Sequence, residues 1–240
     1  MEHNAFSEAK AELITRFSEP IQFLTRASVD KIVGMFSEPC IEGLEDYIKE
    51  KAHTYNLDLD EINSYTPYRS FYYGLARLAR PNVVVETGVW YGASTAFILE
   101  ALENNGKGEL YSIDLPNTRY RTDNGSLIVD GVGMPENTGV LVPPNLRHRW
   151  HLILGKSQEK LTPLLKSLGE IDVFIHDGEH TYDAMMFEFQ TAFEFLRCGG
   201  VLISDDVHDN GAFHDFVRQQ RCSSFVFPRR QGEYMGAMVK

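Results

Sequence analysis

The chain has 240 residues, and Asp and Glu outnumber Lys and Arg by 34 to 23, a formal charge of −11. That balance argues against a nucleic-acid binder, because a phosphate-tracking surface needs clustered basic residues, and Arg147-His148-Arg149 and Arg229-Arg230 are short and isolated. With 43% hydrophobic and 24% charged residues, three widely spaced cysteines (Cys40, Cys198, Cys222), no signal-peptide start and no apolar run near ~18 residues, a cytoplasmic globular protein is expected.

Residues 1–80 read as helical, with apolar positions recurring at three and four: Phe6, Leu13, Ile14 and Phe17, then Ile32, Val33 and Phe36, then Leu44, Tyr47 and Ile48, then Tyr68, Phe71, Tyr72, Leu75 and Leu78. Pro20, Pro39 and Pro67 punctuate them. This region is expected to be a helical cap, and its many apolar positions suggest homodimerisation or higher self-assembly through it.

From residue 82 short apolar runs alternate with helical stretches. Val83-Val84-Val85 is a β-branched strand, followed by a helix from Ser94 to Asn104, and Leu110 to Ile113 is a second strand ending at Asp114. Residues 116–150 form a connection far longer than the usual two to six residues, rich in Gly, Pro and Asn, with Arg119, Tyr120, Arg121, Arg147 and Arg149 along it. Strand and helix then alternate again: His151–Leu154, Gln158–Leu168, Ile171–Ile175, Tyr182–Leu196, Val201–Ser204 and Phe213–Gln220. Ser224–Phe227 and Tyr234–Val239 have no room for a helix between them and should pair antiparallel. The expected fold is α/β: a doubly wound, mostly parallel seven-stranded sheet with an antiparallel C-terminal hairpin and an N-terminal helical cap (residues 1–80), residues 81–240 forming the sheet domain.

Ligands of such sheets bind beyond the carboxyl ends of the strands. After the first strand, Glu86-Thr87-Gly88-Val89-Trp90-Tyr91-Gly92-Ala93-Ser94 has two glycines that admit a ligand close to the backbone, and an acidic residue placed to meet an ammonium group. The G-x-G-x-x-G spacing of dinucleotide folds is missing. Asp114 stands where an acid can accept ribose hydroxyls, or can simply cap a tight turn. Asp177, Asp205 and Asp206 close two further strands, and three like charges there repel unless a cation sits between them. An oxygen-rich set without cysteine suits Mg²⁺. Helix capping explains Asp206 or Asp209 singly but not the cluster.

These residues resemble the class I S-adenosylmethionine-dependent methyltransferases, and more narrowly the metal-dependent, macrocin-type O-methyltransferases that modify sugars. The resemblance covers about residues 80–240 and rests on Val83 to Ser94, Asp114, Gly155-Lys156-Ser157, Asp177-Gly178-Glu179-His180-Thr181-Tyr182 and Gly199 to Asp206. It implies that the turn residues Glu86, Thr87, Gly88, Tyr91, Gly92 and Ser94 bind S-adenosylmethionine, with Glu86, Gly88 and Gly92 lining its methionine part. It places Asp114 at the ribose, Ser157 beside the adenine, Asp177 at both cofactor and metal, and Asp205 and Asp206 as the remaining metal ligands. His180 matches a position proposed as general base, with Asp177 beside it; His176 and His208 are weaker alternatives. The long connection resembles a lid that closes over the acceptor. The expected activity is Mg²⁺-dependent methylation of a hydroxyl on a small molecule, probed first on sugars of natural products or polysaccharides. Alternatives are a catechol or phenylpropanoid acceptor, a non-catalytic cofactor-binding scaffold, and a hydroxylase-like relative.

Overall fold

A computed structural model describes residues 2–59, 62, 66–121, 127–132, 135–230 and 232–240. Four helices come first: α1 (Glu2–Thr25), α2 (Val29–Met35), α3 (Pro39–Thr54) and α4 (Thr66–Ala79). Then β1 (Val83–Thr87), α5 (Ala93–Asn105) and β2 (Glu109–Asp114) lead into a separate hairpin, β3 (Asn117–Arg121) and β4 (Leu127–Gly131). The remainder is β5 (Trp150–Leu154), α6 (Ser157–Leu168), β6 (Ile171–His176), α7 (Tyr182–Phe195), β7 (Leu196–Ser204), α8 (Ala212–Gln220), β8 (Ser223–Arg230) and β9 (Glu233–Val239). The main sheet has seven strands in the order β5-β2-β1-β6-β7-β9-β8. All pairs are parallel except those of β9 with β7 and β8. The expected seven-stranded architecture is therefore the observed one. No helix among the described residues is long and apolar enough to cross a membrane.

Two features depart from the sequence reading. Pro20 lies inside α1 instead of ending it. Phe17, Ile21 and Leu24 around it are buried, and burying such side chains at about 1.5–3 kcal/mol each outweighs the ~3 kcal/mol cost of a mid-helix proline. Second, the long connection carries its own hairpin and then packs down: Leu141, Val142 and Leu146 are fully buried.

Strand side chains alternate between two cores. Val84 and Ile175 join α1–α5 on one face, while Val85 and Phe174 join α6–α8 on the other. Phe17, Ile21, Ile32, Met35, Leu44 and Ile48 are all buried within the first core, so these positions of the helical region pack against the rest of the chain.

Register fixes the location of the site. Thr87 pairs with Ile113 and His176, and His176 with Ser204, so β1, β2, β6 and β7 end in one row. The ladder continues one residue further, with Asp177 N–H donating to Thr87 O at 2.8 Å and Asp205 N–H to His176 O at 2.9 Å. Across β9, Ser204 lies opposite Gly236, which lies opposite Val226 on β8. Arg229, three residues past Val226, is thereby carried beyond the row, to the edge where Asp205 and Asp206 emerge.

Candidate active site

The turn after β1 is built from left-handed backbone: Gly88 at φ 87°, Trp90 at 52° and Gly92 at 86°. Asp114 holds it, its Oδ2 accepting from Val89 N–H at 2.7 Å and Trp90 N–H at 3.0 Å. A Cβ on Gly88 would lie 1.8 Å from the Asp177 carbonyl oxygen, so the β1 and β6 loops touch through bare backbone. The packed end of the long connection forms a second wall, with Gly139 N–H donating to Trp90 O and Leu141 N–H to Tyr91 O, both at 2.9 Å. Arg147 donates to Gly139 O at 2.7 Å and Arg149 to Glu103 at 2.6 Å. Those two arginines are thus pinned to the body of the protein, and only the β3–β4 hairpin is left as the expected lid. The side chains of Arg119, Tyr120 and Arg121 lie outside the described residues.

Glu86 faces the first core, 3% exposed, and its Oε1 accepts from Thr95 at 2.8 Å and Ser112 at 2.6 Å. Burial pushes its carboxyl up to about 7, against the hydroxyls of Ser112 and Thr95, which pull it down. Thr87, one residue on, faces the second core, where its hydroxyl donates to Glu188 at 2.5 Å. His176 Nδ1 lies 2.7 Å from the same Glu188 oxygen. Burial opposes the Glu188 charge, yet His176 and the hydroxyls of Ser157 and Thr87 hold that carboxyl below its usual range. Ser157, expected beside an adenine, is thus also tied to this buried group. His176 presents its ring edge-on to His180 at 5.3 Å.

The three carboxylates do converge on one edge, but with a partner that the sequence did not suggest. Arg229, 6% exposed, donates through one guanidinium nitrogen to Asp205 and, at 3.2 Å, to Asp206. Its guanidinium also lies 3.4 Å from Glu233 and 4.7 Å over the Tyr68 ring, and Arg16 donates to its carbonyl at 2.8 Å. Burial raises Asp177 well above the carboxylate range, with Asp205 adding to the effect, whereas Arg229 overcomes burial to keep Asp205 ionised and low. Within this pair the charge is thus favoured on Asp205 and disfavoured on Asp177. Asp206 has a left-handed backbone at φ 47° and is pushed to about 7 by burial and by Asp205. His180 is lowered to about 3 by burial and His176, which makes it a neutral imidazole. Its Nδ1 is 3.7 Å from Asp206, and its Nε2 has no hydrogen-bond partner among the described residues.

The expected metal set does not match the converging donors. Among the described residues, the ligand atoms that lie within 4.8 Å of one another belong to His180, Asp206 and Asp209. Asp205 is instead engaged by Arg229. His208, 3.9 Å from Asp206 and 3.5 Å from Asp209, stays on the rim.

Sequence reasoning missed Arg229, Glu188, Tyr68 and Tyr72. Tyr68 and Tyr72 are buried, feel Asp177 and Asp205, and have their hydroxyl acidity suppressed mainly by burial; Ser94 bonds the Tyr68 hydroxyl. Their i, i+4 spacing in α4 reads equally as core, so no local signal separates them from Phe71. Glu188 carries such a signal, an acid on the apolar face of α7.

Thr181 caps α7, its hydroxyl accepting from Ala184 N–H at 3.4 Å. Thr181→Ala is expected to lower stability by about 0.5–1 kcal/mol, measured by chemical denaturation, with the site chemistry intact.

A seven-stranded doubly wound sheet with a glycine turn and acidic strand ends along one edge is the class I methyltransferase architecture. Residues 85–207, just over half of the chain, match the family model described as a methyltransferase domain (Methyltransf_24), and the chain belongs to that family. Similar folds include the S-adenosylhomocysteine-bound methyltransferase PaMTH1 of Podospora anserina, with a TM-score of 0.56 and 14% identity over 81% of this chain and 86% of that one. The O-methyltransferase TomG of Streptomyces achromogenes, involved in tomaymycin synthesis and bound to S-adenosylmethionine, scores 0.55 with 17% identity over 83% and 90%. An O-methyltransferase of Bacillus cereus bound to S-adenosylhomocysteine scores 0.53 with 17% identity over 92% and 100%. No curated protein is detectably similar in sequence.

Proposed function

We propose that the protein is an S-adenosylmethionine-dependent O-methyltransferase acting on a hydroxyl of a small polyhydroxylated molecule, with a sugar moiety as the first acceptor class. The observation that carries this is the left-handed turn at Gly88 and Gly92, held by Asp114, opening directly beside buried Asp205 and half-buried Asp177 and His180. The residues fit the cofactor: the two glycines let the β1 turn pack backbone to backbone against the Asp177 and Gly139 segments and so fix it at the strand ends, and no described basic side chain pairs with buried Glu86. Bound there, the cofactor supplies a methyl group on a sulfonium. The acceptor hydroxyl would meet carboxylate acceptors and the unpartnered His180 Nε2, a lining that suits several neighbouring hydroxyls better than a flat apolar ring.

The divalent ion implied by the sequence resemblance is not carried into this proposal, because the residues present do not fit it. A fixed guanidinium already bridges Asp205 and Asp206. A divalent cation about 4 Å from it would be repelled by roughly 8 kcal/mol at an effective dielectric constant near 20.

The test is a screen of sugar and catechol acceptors with labelled S-adenosylmethionine, alongside calorimetric cofactor binding. Label in a sugar ether supports the reading; a preference for catechols overturns the acceptor class, and no cofactor binding overturns the function. Glu86 adds a pH signature. If its carboxylate meets the cofactor ammonium, affinity should rise about tenfold from pH 6 to 8 as a group near 7 ionises. The stability consequence has the opposite sign. A carboxyl raised from 4.5 to about 7 contributes stability that is fully present below about 4.5 and is lost as pH rises through about 7, a loss of about 3 kcal/mol. Glu86→Gln should therefore be more stable than wild type at pH 8, and should bind cofactor more weakly and without the pH slope.

A further inference from the structure

We infer that Arg229 is the resident cation of this site, doing the charge balancing that a divalent ion was expected to do, so that the protein works without metal. Three observations carry this. The backbone register delivers Arg229 from the end of β8 across β9 to the mouth of β7, so its arrival is a property of the fold. Its guanidinium contacts Asp205 and Asp206 together, which puts a permanent positive charge where the carboxylates would otherwise need one. It is also locked, 6% exposed under the Tyr68 ring, with Glu233 on its far side and Arg16 on its carbonyl. An arginine cannot deprotonate at working pH and cannot coordinate an oxygen, so it fixes the carboxylates in place without providing an open coordination position. Asp205 and Asp206, held by the guanidinium, then form a fixed hydrogen-bonding edge for the acceptor rather than a ligand set. Arg229 is thus a positioning residue: it acts through Asp205 and Asp206.

This inference deepens the methyltransferase reading, but its decisive measurement is independent of methyl transfer. The experiment is Mn²⁺ binding followed by electron paramagnetic resonance on the full chain, for wild type, Arg229→Gln, Arg229→Lys and the double variant Arg229→Gln/Asp205→Asn. Wild type and Arg229→Lys are expected to show no stoichiometric site. Arg229→Gln should gain one, at least about tenfold tighter than any wild-type binding, because the three carboxylates lose the buried cation that bridges Asp205 and Asp206. The double variant should lose the gained site. Cofactor binding to wild type should be unchanged by a chelator. One tight Mn²⁺ site on wild type would overturn the inference, as would a folded Arg229→Gln that gains no site. Should Arg229→Gln fail to fold, the wild-type and Arg229→Lys titrations decide on their own. Absence of cofactor binding in every condition sinks the methyltransferase reading and leaves the Mn²⁺ result standing.

Discussion

Gly88→Ala is expected to abolish cofactor binding and to lower the melting temperature by about 10 °C. Two costs add. An L residue at φ 87° occupies the left-handed region at about 1–2 kcal/mol. The added Cβ would lie 1.8 Å from the Asp177 carbonyl oxygen, 2.5 Å from its carbonyl carbon and 3.0 Å from Gly178 N. These are backbone atoms, so no side chain can rotate away; either the β1 turn or the β6 loop must move, at a further cost of about 1–3 kcal/mol. Any such shift also spoils the site. Asp177 N–H donates to Thr87 O at 2.8 Å and Gly88 N–H donates to Ile113 O at 2.9 Å, so displacement at Gly88 is passed to both neighbouring strand ends. Differential scanning fluorimetry and cofactor calorimetry check the two halves separately. A variant within about 2 °C of wild type would show that the two loops do not meet as described.

The sheet was legible because its signals are local. Val83-Val84-Val85, Ile171 to Ile175 and Val201 to Ser204 are apolar runs bounded by glycine or acid, and their alternating burial on two faces follows from strand geometry. The positions of Gly88, Asp114, Asp177 and Asp205 at one edge follow from parallel register alone. What stayed hidden depends on contacts distant in sequence. Arg229 is 24 residues from Asp205, and Glu188 is 101 from Thr87; no local pattern ties either pair. Three clustered acids at strand ends announce a missing positive charge, but the residue types do not say whether an ion or a side chain supplies it. The packed end of the long connection stayed hidden for a related reason. Its glycines and prolines suggested a mobile lid, yet Gly139 is there because its Cβ would collide with the Trp150 ring at 2.1 Å, a packing requirement.

His180→Asn is expected to reduce kcat by about 10²–10⁴-fold while cofactor affinity stays within about twofold. His180 sits between the Asp177-Gly178 turn and the Thr181 cap, its carbonyl accepting from Asn210 at 3.1 Å, so its backbone is fixed at both ends. Its ring is held edge-on by His176, which is itself tied to Glu188. That leaves Nε2 buried and unpartnered, a group that a hydroxyl of the acceptor can satisfy. Held neutral by burial, the imidazole is always in its proton-accepting form. Its low apo value of about 3 would make it a poor base in isolation. The compensating charges are at hand: Asp206 lies 3.7 Å from Nδ1, and ionised Asp205 favours an imidazolium. A proton arriving on His180 therefore meets two carboxylates, one of which, Asp206, sits near 7 and can hold it as methyl transfer proceeds. Asn keeps one polar contact but cannot take the proton, so binding survives and turnover falls. Thr181→Ala is the control, since it removes about 0.5–1 kcal/mol of helix capping one residue away and should leave kcat unchanged. A drop of less than about tenfold in His180→Asn would remove His180 from the proton path and leave the carboxylates to accept the proton directly.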